Sequence, residues 1–442
     1  MTEKGWQDFY AHLGKARDYL MKAHALHPEF PEAATEMITV AMGAGSRLNE
    51  RPRDWFDRAV RAQVDYQRAY DTYLMTILPR WGGSYEKMLD FGLECMAGGR
   101  YDTCVPTELL RVLERIDTDG GSHFTIYSTP ATRQILQKLF AEVARRRPAA
   151  SGGRDYYGSY HVALEWRTGH FREAGQLLER LGDRIDHTAF TRVHAWAPLA
   201  VGEVHAMNST EAATIERAGR LAAAGDAEGA VRAYDEASSK LAKDDPGQFF
   251  LHYRARAMGI ESEFKRGDWV WLNAGADHAP WSVGAGKWQM GKDGSFVGTG
   301  DKYGRAALIC RADFGKQYEV KAKVDFPDAG RRGVGAILLN WSGPIHYQPA
   351  GINGVTSKVF VTSSQTQEQA MQLTGGEELT LRVKDRTFDV LVDGAVIFAD
   401  RPLWKPAGDE AFLAIGLNGS VANRVVKFSD VQVRRLDAVG GN

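Results

Sequence analysis

The sequence predicts a multidomain α-plus-β chain: an α-helical repeat array over residues 1–267, then an antiparallel β-sandwich over 268–442. Three observations carry this. Before about residue 268, apolar residues recur three to four apart in segments of helical length. After it, runs such as YEVKAKVDF (318–326) and TFDVLVDGAVIF (387–398) alternate at period two and stop at Gly, Asp or Asn. Third, the helical part repeats itself.

The repetition is explicit. YLMKAHALHPEFPEAATEMI (19–38) aligns without gaps onto WFDRAVRAQVDYQRAYDTYL (55–74), placing Ala23 on Ala59, Phe30 on Tyr66 and Ala33 on Ala69, an offset of 36 residues. A period in the mid-thirties is the mark of stacked helix–turn–helix units. Two later segments, 163–182 and 220–238, share a second feature: a Gly at a helix end (Gly169, Gly225) followed five residues on by Ala (Ala174, Ala230). That spacing suits a left-handed helix cap and a tight turn into a second helix. Between these groups lies LPRWGGSYEKMLDFGLECM (78–96). Pro79 and the Gly82-Gly83 pair force a loop, Trp81 is expected to anchor it, and Ser84 is the expected N-cap of the next helix.

On the β side the expected strands cover 295–299, 305–310, 317–326, 333–341, 354–362, 378–384, 387–393, 395–400, 411–418 and 424–436. About ten strands in this length bury their apolar faces only by packing two sheets against each other. The Gly-rich stretch 283–300 leads into no helix, so it offers no helix N-terminus to an anion; Asp293-Gly294 within it is a hairpin signal. No Gly/Ser/Pro linker separates the parts. They are expected to dock, with Trp269 and Trp271 at the seam.

Composition narrows the function classes. Of 55 Lys+Arg and 56 Asp+Glu, the part from residue 268 on holds 20 and 19, so neither part has a nucleic-acid binder's basic excess. The RRRP run at 145–148 reads as a solvated helix end. Three cysteines (Cys95, Cys104, Cys310) without a C-x-x-C give neither a disulfide framework nor a zinc site. Ten of the twelve histidines lie in the helical part. His24 and His27 lack a third ligand, and Pro198 interrupts any helix shared by His187, His194 and His205, so no metal or cofactor is expected. The N-terminus has acids and no apolar signal core, and no run reaches membrane-spanning length. A cytoplasmic protein without nucleic-acid or membrane partners is expected, although the chain starts inside a repeat and an upstream segment stays open.

Two resemblances follow from these motifs. The helical part resembles the tetratricopeptide (TPR) superfamily in degenerate form, and with its PRWGGS segment it is similar to a TPR-like bacterial domain of unknown function. This implies a protein partner held by the repeats, with Trp81, Gly82, Gly83 and Ser84 as a loop or partner contact. The strand order, with LTLRVKDRTFDVLVDG (379–394) and a final FSDVQVRRL (428–436), resembles the concanavalin A-like lectin/glucanase jelly roll, in the branch of laminin-G-like and 3-keto-disaccharide hydrolase-like domains. Two functions are implied: a non-enzymatic binder of a carbohydrate or protein ligand, or a sugar-active hydrolase or lyase. Glucanases of that class carry paired carboxylates as E-x-D-x-x-E, which is absent here, and Asp393 is expected to be used by a turn, leaving Asp389 alone. The candidate ligand site is the stretch LLNWSGPIHYQPAGINGV (338–355), expected to be irregular, with Trp341, His346, Tyr347, Gln348 and Asn353, and Trp404 as a second platform.

Overall fold

A computed structural model describes residues 2–120, 124–147, 153–193, 195–273, 280–343, 346–362, 365–404, 412–419 and 421–436. Its helices are α1 (Glu3–Leu26), α2 (Pro31–Ala44), α3 (Pro52–Ala62), α4 (Gln67–Thr76), α5 (Tyr85–Ala97), α6 (Glu108–Gly120), α7 (Thr125–Ser128), α8 (Pro130–Arg146), α9 (Gly153–Arg167), α10 (Phe171–Leu181), α11 (Ala197–Met207), α12 (Ala212–Ala223), α13 (Ala227–Lys240) and α14 (Gly247–Lys265). The chain divides into two compact units, Met1–Gly158 and Ser159–Asn442, so the change from helix to strand falls inside the second. Among the described residues, no helix is long and apolar enough to cross a membrane.

In the first unit the 36-residue offset is visible as hydrogen bonds. His27 N–H donates to the Ala23 carbonyl and Phe30 N–H to His27; at the matching positions Gln63 N–H donates to Ala59 and Tyr66 N–H to Gln63. The helix–turn–helix units α1–α2 and α3–α4 are therefore in register. Their apolar stripes, including Ala34, Ile38, Ala41, Phe56 and Ala59, meet in one core with Met88 and Phe91. Arg145 and Arg146 are exposed at the end of α8, as the sequence reading expects, and they also have partners within the unit. Arg145 pairs with Glu142 at 2.6 Å, while Arg146 lies over the Tyr101 ring and donates to the Gly99 carbonyl. All three cysteines are free thiols.

The Gly-to-Ala spacing is reproduced in the second unit. Gly169 (φ 77°) donates to Trp166 and His170 to Glu165; Gly225 (φ 82°) donates to Ala222 and Asp226 to Leu221. Both are Schellman caps, which close a helix with paired 5→2 and 6→1 bonds. Ala174 and Ala230 then bury fully at the start of the following helix.

Helix α14 leads into the strands β1 (Val270–Trp271), β2 (Trp281–Ala285), β3 (Lys287–Met290), β4 (Phe296–Thr299), β5 (Arg305–Cys310), β6 (Tyr318–Asp325), β7 (Val334–Gly343), β8 (His346–Asn353), β9 (Lys358–Thr362), β10 (Thr366–Ala370), β11 (Glu377–Lys384), β12 (Thr387–Val392), β13 (Ala395–Pro402), β14 (Phe412–Asn418) and β15 (Val425–Arg435). They form two antiparallel sheets, eight strands ordered β13-β12-β11-β6-β15-β4-β3 with β1 on β15, and seven ordered β10-β9-β8-β7-β14-β5-β2. The inner faces interdigitate Val320, Val324, Leu381, Phe388 and Phe428 with Leu308, Ile337, Leu339, Ile352 and Ile415. This is the jelly-roll sandwich expected from the sequence. The Asp293-Gly294 turn sits in the β3–β4 hairpin, with Gly294 at φ 76°.

The join between α14 and the sandwich is made chiefly by apolar side chains rather than by the indoles, although Arg256 of α14 donates to the Trp271 carbonyl. Ile260 and Phe264 enter the sandwich core, the Phe264 and Phe314 rings meet at 5.2 Å, Tyr253 donates to the Pro280 carbonyl and Asp313 N–H to Glu261. Trp269 instead lies beneath Lys321 and Arg434, and Trp271 is exposed. Each such buried apolar residue stabilises by ~1.5–3 kcal/mol.

Candidate functional site

Alternation along β5, β7, β8, β9 and β14 sends every second side chain away from the core. On this outer face Ala307, Ile309, Ala336, Leu338, Phe360 and Ala414 form a second apolar cluster with Trp341. Its floor is kept low by glycine. A Cβ on Gly351 would overlap the Gly335 carbonyl, and one on Gly416 the carbonyl of Ala306. No larger side chain fits, so the rings stand above the strands around them.

One residue decides where the main ring points. In β7, Leu338 faces outward and Leu339 inward, so simple alternation would send Trp341 into the core. Asn340 takes a left-handed conformation (φ 53°), and both neighbouring ladders shift register there. This β-bulge restores Trp341 to the outer face. Asn is among the few residues that tolerate that conformation. Trp341 then stacks on Tyr347 of β8, ring centres 4.9 Å apart and planes 14° from parallel. Trp341 is only 6% exposed and Tyr347 half-buried, so the indole backs the stack and the phenol is its accessible ring.

Trp404 joins the same end. Its N–H donates to Gln348 Oε1 at 2.8 Å, and its carbonyl accepts from Asn340 Nδ2 at 2.5 Å. The indole is 40% exposed. The structure thus joins the Trp341 and Tyr347 rings, and it fixes the backbone of Trp404, distant in sequence, against Asn340 and Gln348. The His346 backbone pairs with Gly343, and its side chain lies outside the described residues.

Three sequence expectations change. Residues 338–343 and 346–353 are not irregular but pair with each other in β7 and β8. Gln348 is no ligand contact: it is 0% exposed, and its Nε2 donates to the carbonyls of Thr362 and Pro402, both at 2.9 Å. It is a strut tying β8 to β9 and to the chain before Trp404. Asn353 sits at the far end of β8, about 20 Å along the strand from Tyr347, and its Oδ1 accepts from Val355 and Thr356 N–H in a turn.

Arg305 was not foreseen, although its outward position is readable from RAALIC (305–310). Its Nε is buried and has no hydrogen-bond partner among the described residues. Burial raises the phenol pKa of Tyr347, and the positive charge of Arg305 draws it partly back. Asp389, by contrast, belongs to the other sheet, where Lys384 holds it at 2.9 Å and the Asp400 N–H donates to it. Asp393 takes φ 48° in the turn and accepts from Glu378 N–H.

In the first unit, Ser84 caps α5 by accepting from Lys87 N–H. Gly82 (φ 86°) and Gly83 are both required, since a Cβ on Gly83 would overlap the Ile77 carbonyl. Trp81 does not anchor the loop. It is 56% exposed, and the carbonyl of buried Leu78 holds the turn by accepting from Trp81 and Gly83 N–H.

No family model and no curated protein matches the chain. Solved structures similar to its C-terminal region include a carbohydrate-binding module, CBM66, from Bacillus subtilis (15% identity, 35% of this chain and 94% of that one, TM-score 0.28). A Bacillus licheniformis beta-glucanase matches at 10% identity over 38% of this chain and 98% of its own, TM-score 0.28. A Trypanosoma rangeli sialidase matches at 11% identity and TM-score 0.28 over 38% of this chain, which spans only 30% of the sialidase. At such scores these likenesses carry no functional argument.

Proposed function

We propose that the chain is a two-part binding protein, divided functionally near residue 268, whose sandwich takes a saccharide on the outer face of the seven-stranded sheet. The observation that carries this is the Trp341–Tyr347 stack, turned outward by the Asn340 bulge above a floor of Ala and Gly. An aromatic ring covers the apolar face of a pyranose, and a preformed stack loses little conformational freedom on binding. Trp404, fixed on both sides through its backbone, offers a second ring at the same end. Binding is favoured over hydrolysis because Asp389 is neutralised by Lys384 on the opposite sheet.

The TPR-like helical part is the proposed holder of a protein partner. Trp81, exposed on a loop fixed by Gly82, Gly83 and Leu78, supports this, as exposed aromatics on rigid supports are the usual anchors of interfaces.

The test is a glycan array probed with the full-length protein, its Tyr347→Ala variant and its Asp389→Asn variant, beside a hydrolysis screen on 3-keto and ordinary disaccharides. Wild-type binding lost in Tyr347→Ala and kept in Asp389→Asn is the expected result. Turnover that disappears in Asp389→Asn would replace the binding reading with a catalytic one.

A further inference from the structure

Beyond its aromatic end, the outer face has a second end with different chemistry. Three loops meet there: Gly300 N–H donates to the Arg424 carbonyl, Arg331 Nε to the Asn423 carbonyl, and Arg424 Nη1 to the Gly330 carbonyl. They bring together Lys302, Arg305, Arg331, Arg332 and Arg424 with two acids, Asp301 and Asp328. In a chain of net charge −1, this positive excess is local.

The acids offset only part of it, since each forms an ion pair with one arginine of the cluster. Asp301 Oδ1 accepts from the Tyr303 and Arg305 N–H groups, and its other oxygen lies 3.9 Å from Arg305 Nε, beyond hydrogen-bond reach. Asp328 accepts from Gly330 N–H and stands 3.9 Å from Arg331. Lys302, Arg332 and Arg424 make no ion pair among the described residues. Exposed Tyr303 lies between Lys302 and Arg305, at 5.0 and 4.8 Å from its ring centre. A buried guanidinium N–H without an acceptor is unfavourable unless a ligand supplies one. The planar fork of Arg suits the paired oxygens of a carboxylate or sulfate.

We infer that the ligand of this face is an acidic saccharide, its sugar ring at the Tyr347 end and its carboxylate or sulfate at Arg305, with Lys302, Arg332 and Arg424 as a cationic rim. This rests on the preceding proposal that the face binds a saccharide, and it adds the ligand's charge class.

The probes are polygalacturonate, heparin and neutral laminarin, titrated into the full-length protein by calorimetry at low and high salt. The expected result is binding of an acidic polymer that weakens as salt rises and drops about tenfold or more in Arg305→Ala. Arg305→Lys, which keeps the charge and loses the fork, should fall in between. If Arg305→Ala loses its fold, Arg332→Glu with Arg424→Glu tests the rim in its place. Binding of laminarin alone, lost in Tyr347→Ala and unchanged in the arginine variants, overturns the acidic assignment and keeps the saccharide face. Acidic-polymer binding that none of the variants changes overturns both. Equal binding of a DNA duplex of matched charge overturns the assignment in favour of unselective charge attraction.

Discussion

The two outer faces of the sandwich use their side chains in opposite ways. On the eight-stranded sheet, Asp389, Arg382, Glu319 and Arg434 stand in one row across four strands. Glu319 accepts from Arg382 at 3.2 Å and from Arg434 Nε at 2.8 Å, and Lys384 holds Asp389. Lys321 and Arg434 also cover the Trp269 ring. Each group there has its partner within the protein. On the seven-stranded sheet, a ring pair stands in an apolar cluster and a buried guanidinium N–H has no acceptor among the described residues. The difference teaches that polarity alone does not mark a site; groups left without internal partners do. The most charged face is the one that has no need of a ligand.

The largest effect that would sharpen this contrast is Trp341→Ala. Removing a buried indole should lower stability by ~3–5 kcal/mol, read by denaturant unfolding, and abolish saccharide binding as well. Next is Glu319→Gln on the other face, expected to destabilise by ~1–3 kcal/mol as the pair of arginines loses the carboxylate charge and one of them faces an amide N–H in place of an acceptor, with binding unchanged. A binding loss there would break the contrast. Asn340→Ala should follow at ~1–2 kcal/mol, since Ala resists the left-handed conformation and cannot hold the Trp404 carbonyl. Asn340→Gly should recover only the conformational part.

The smallest effect is on pH. Burial opposes the charge on Asp389, but the Asp400 N–H and Lys384 outweigh it and hold its pKa below the usual carboxylate value. A depressed folded pKa stabilises above the unfolded value and is lost as pH falls through the folded one. Wild type should therefore lose ~0.3–1 kcal/mol relative to Asp389→Asn as pH falls from about 5 to below 4.

Much of the fold was legible in the sequence, for identifiable reasons. β5, β6, β11 and β12 alternate cleanly, and the offset of Phe30 onto Tyr66 reappears as matched hydrogen bonds. β8 was missed because Pro349 argues against a ladder strand; the pairing with β9 starts only after it, at Ala350. β10, the edge strand TQEQA, is exposed throughout and has no apolar alternation to read.

The site was legible in kind more than in detail. Trp341, Tyr347 and Trp404 stood out as aromatics, but the bulge that stacks Trp341 on Tyr347 and the Gln348 strut that fixes the Trp404 backbone have no mark in the sequence. Gln348 looked like a ligand contact because an amide reads the same whether it faces a sugar or two carbonyls. Arg305 carried a signal that went unused: it is the outward residue at the start of an otherwise apolar strand.

The account's central claim is that the seven-stranded face, and not the charged one, is where the ligand sits. Hydrogen–deuterium exchange of the full-length protein, with and without a saturating saccharide found on the array, tests this most directly. Protection confined to β7, β8 and the segment around Trp404, extending to Arg305 for an acidic ligand, is the predicted result. Protection on β6, β11 and β15, with β7 and β8 unchanged, would contradict it.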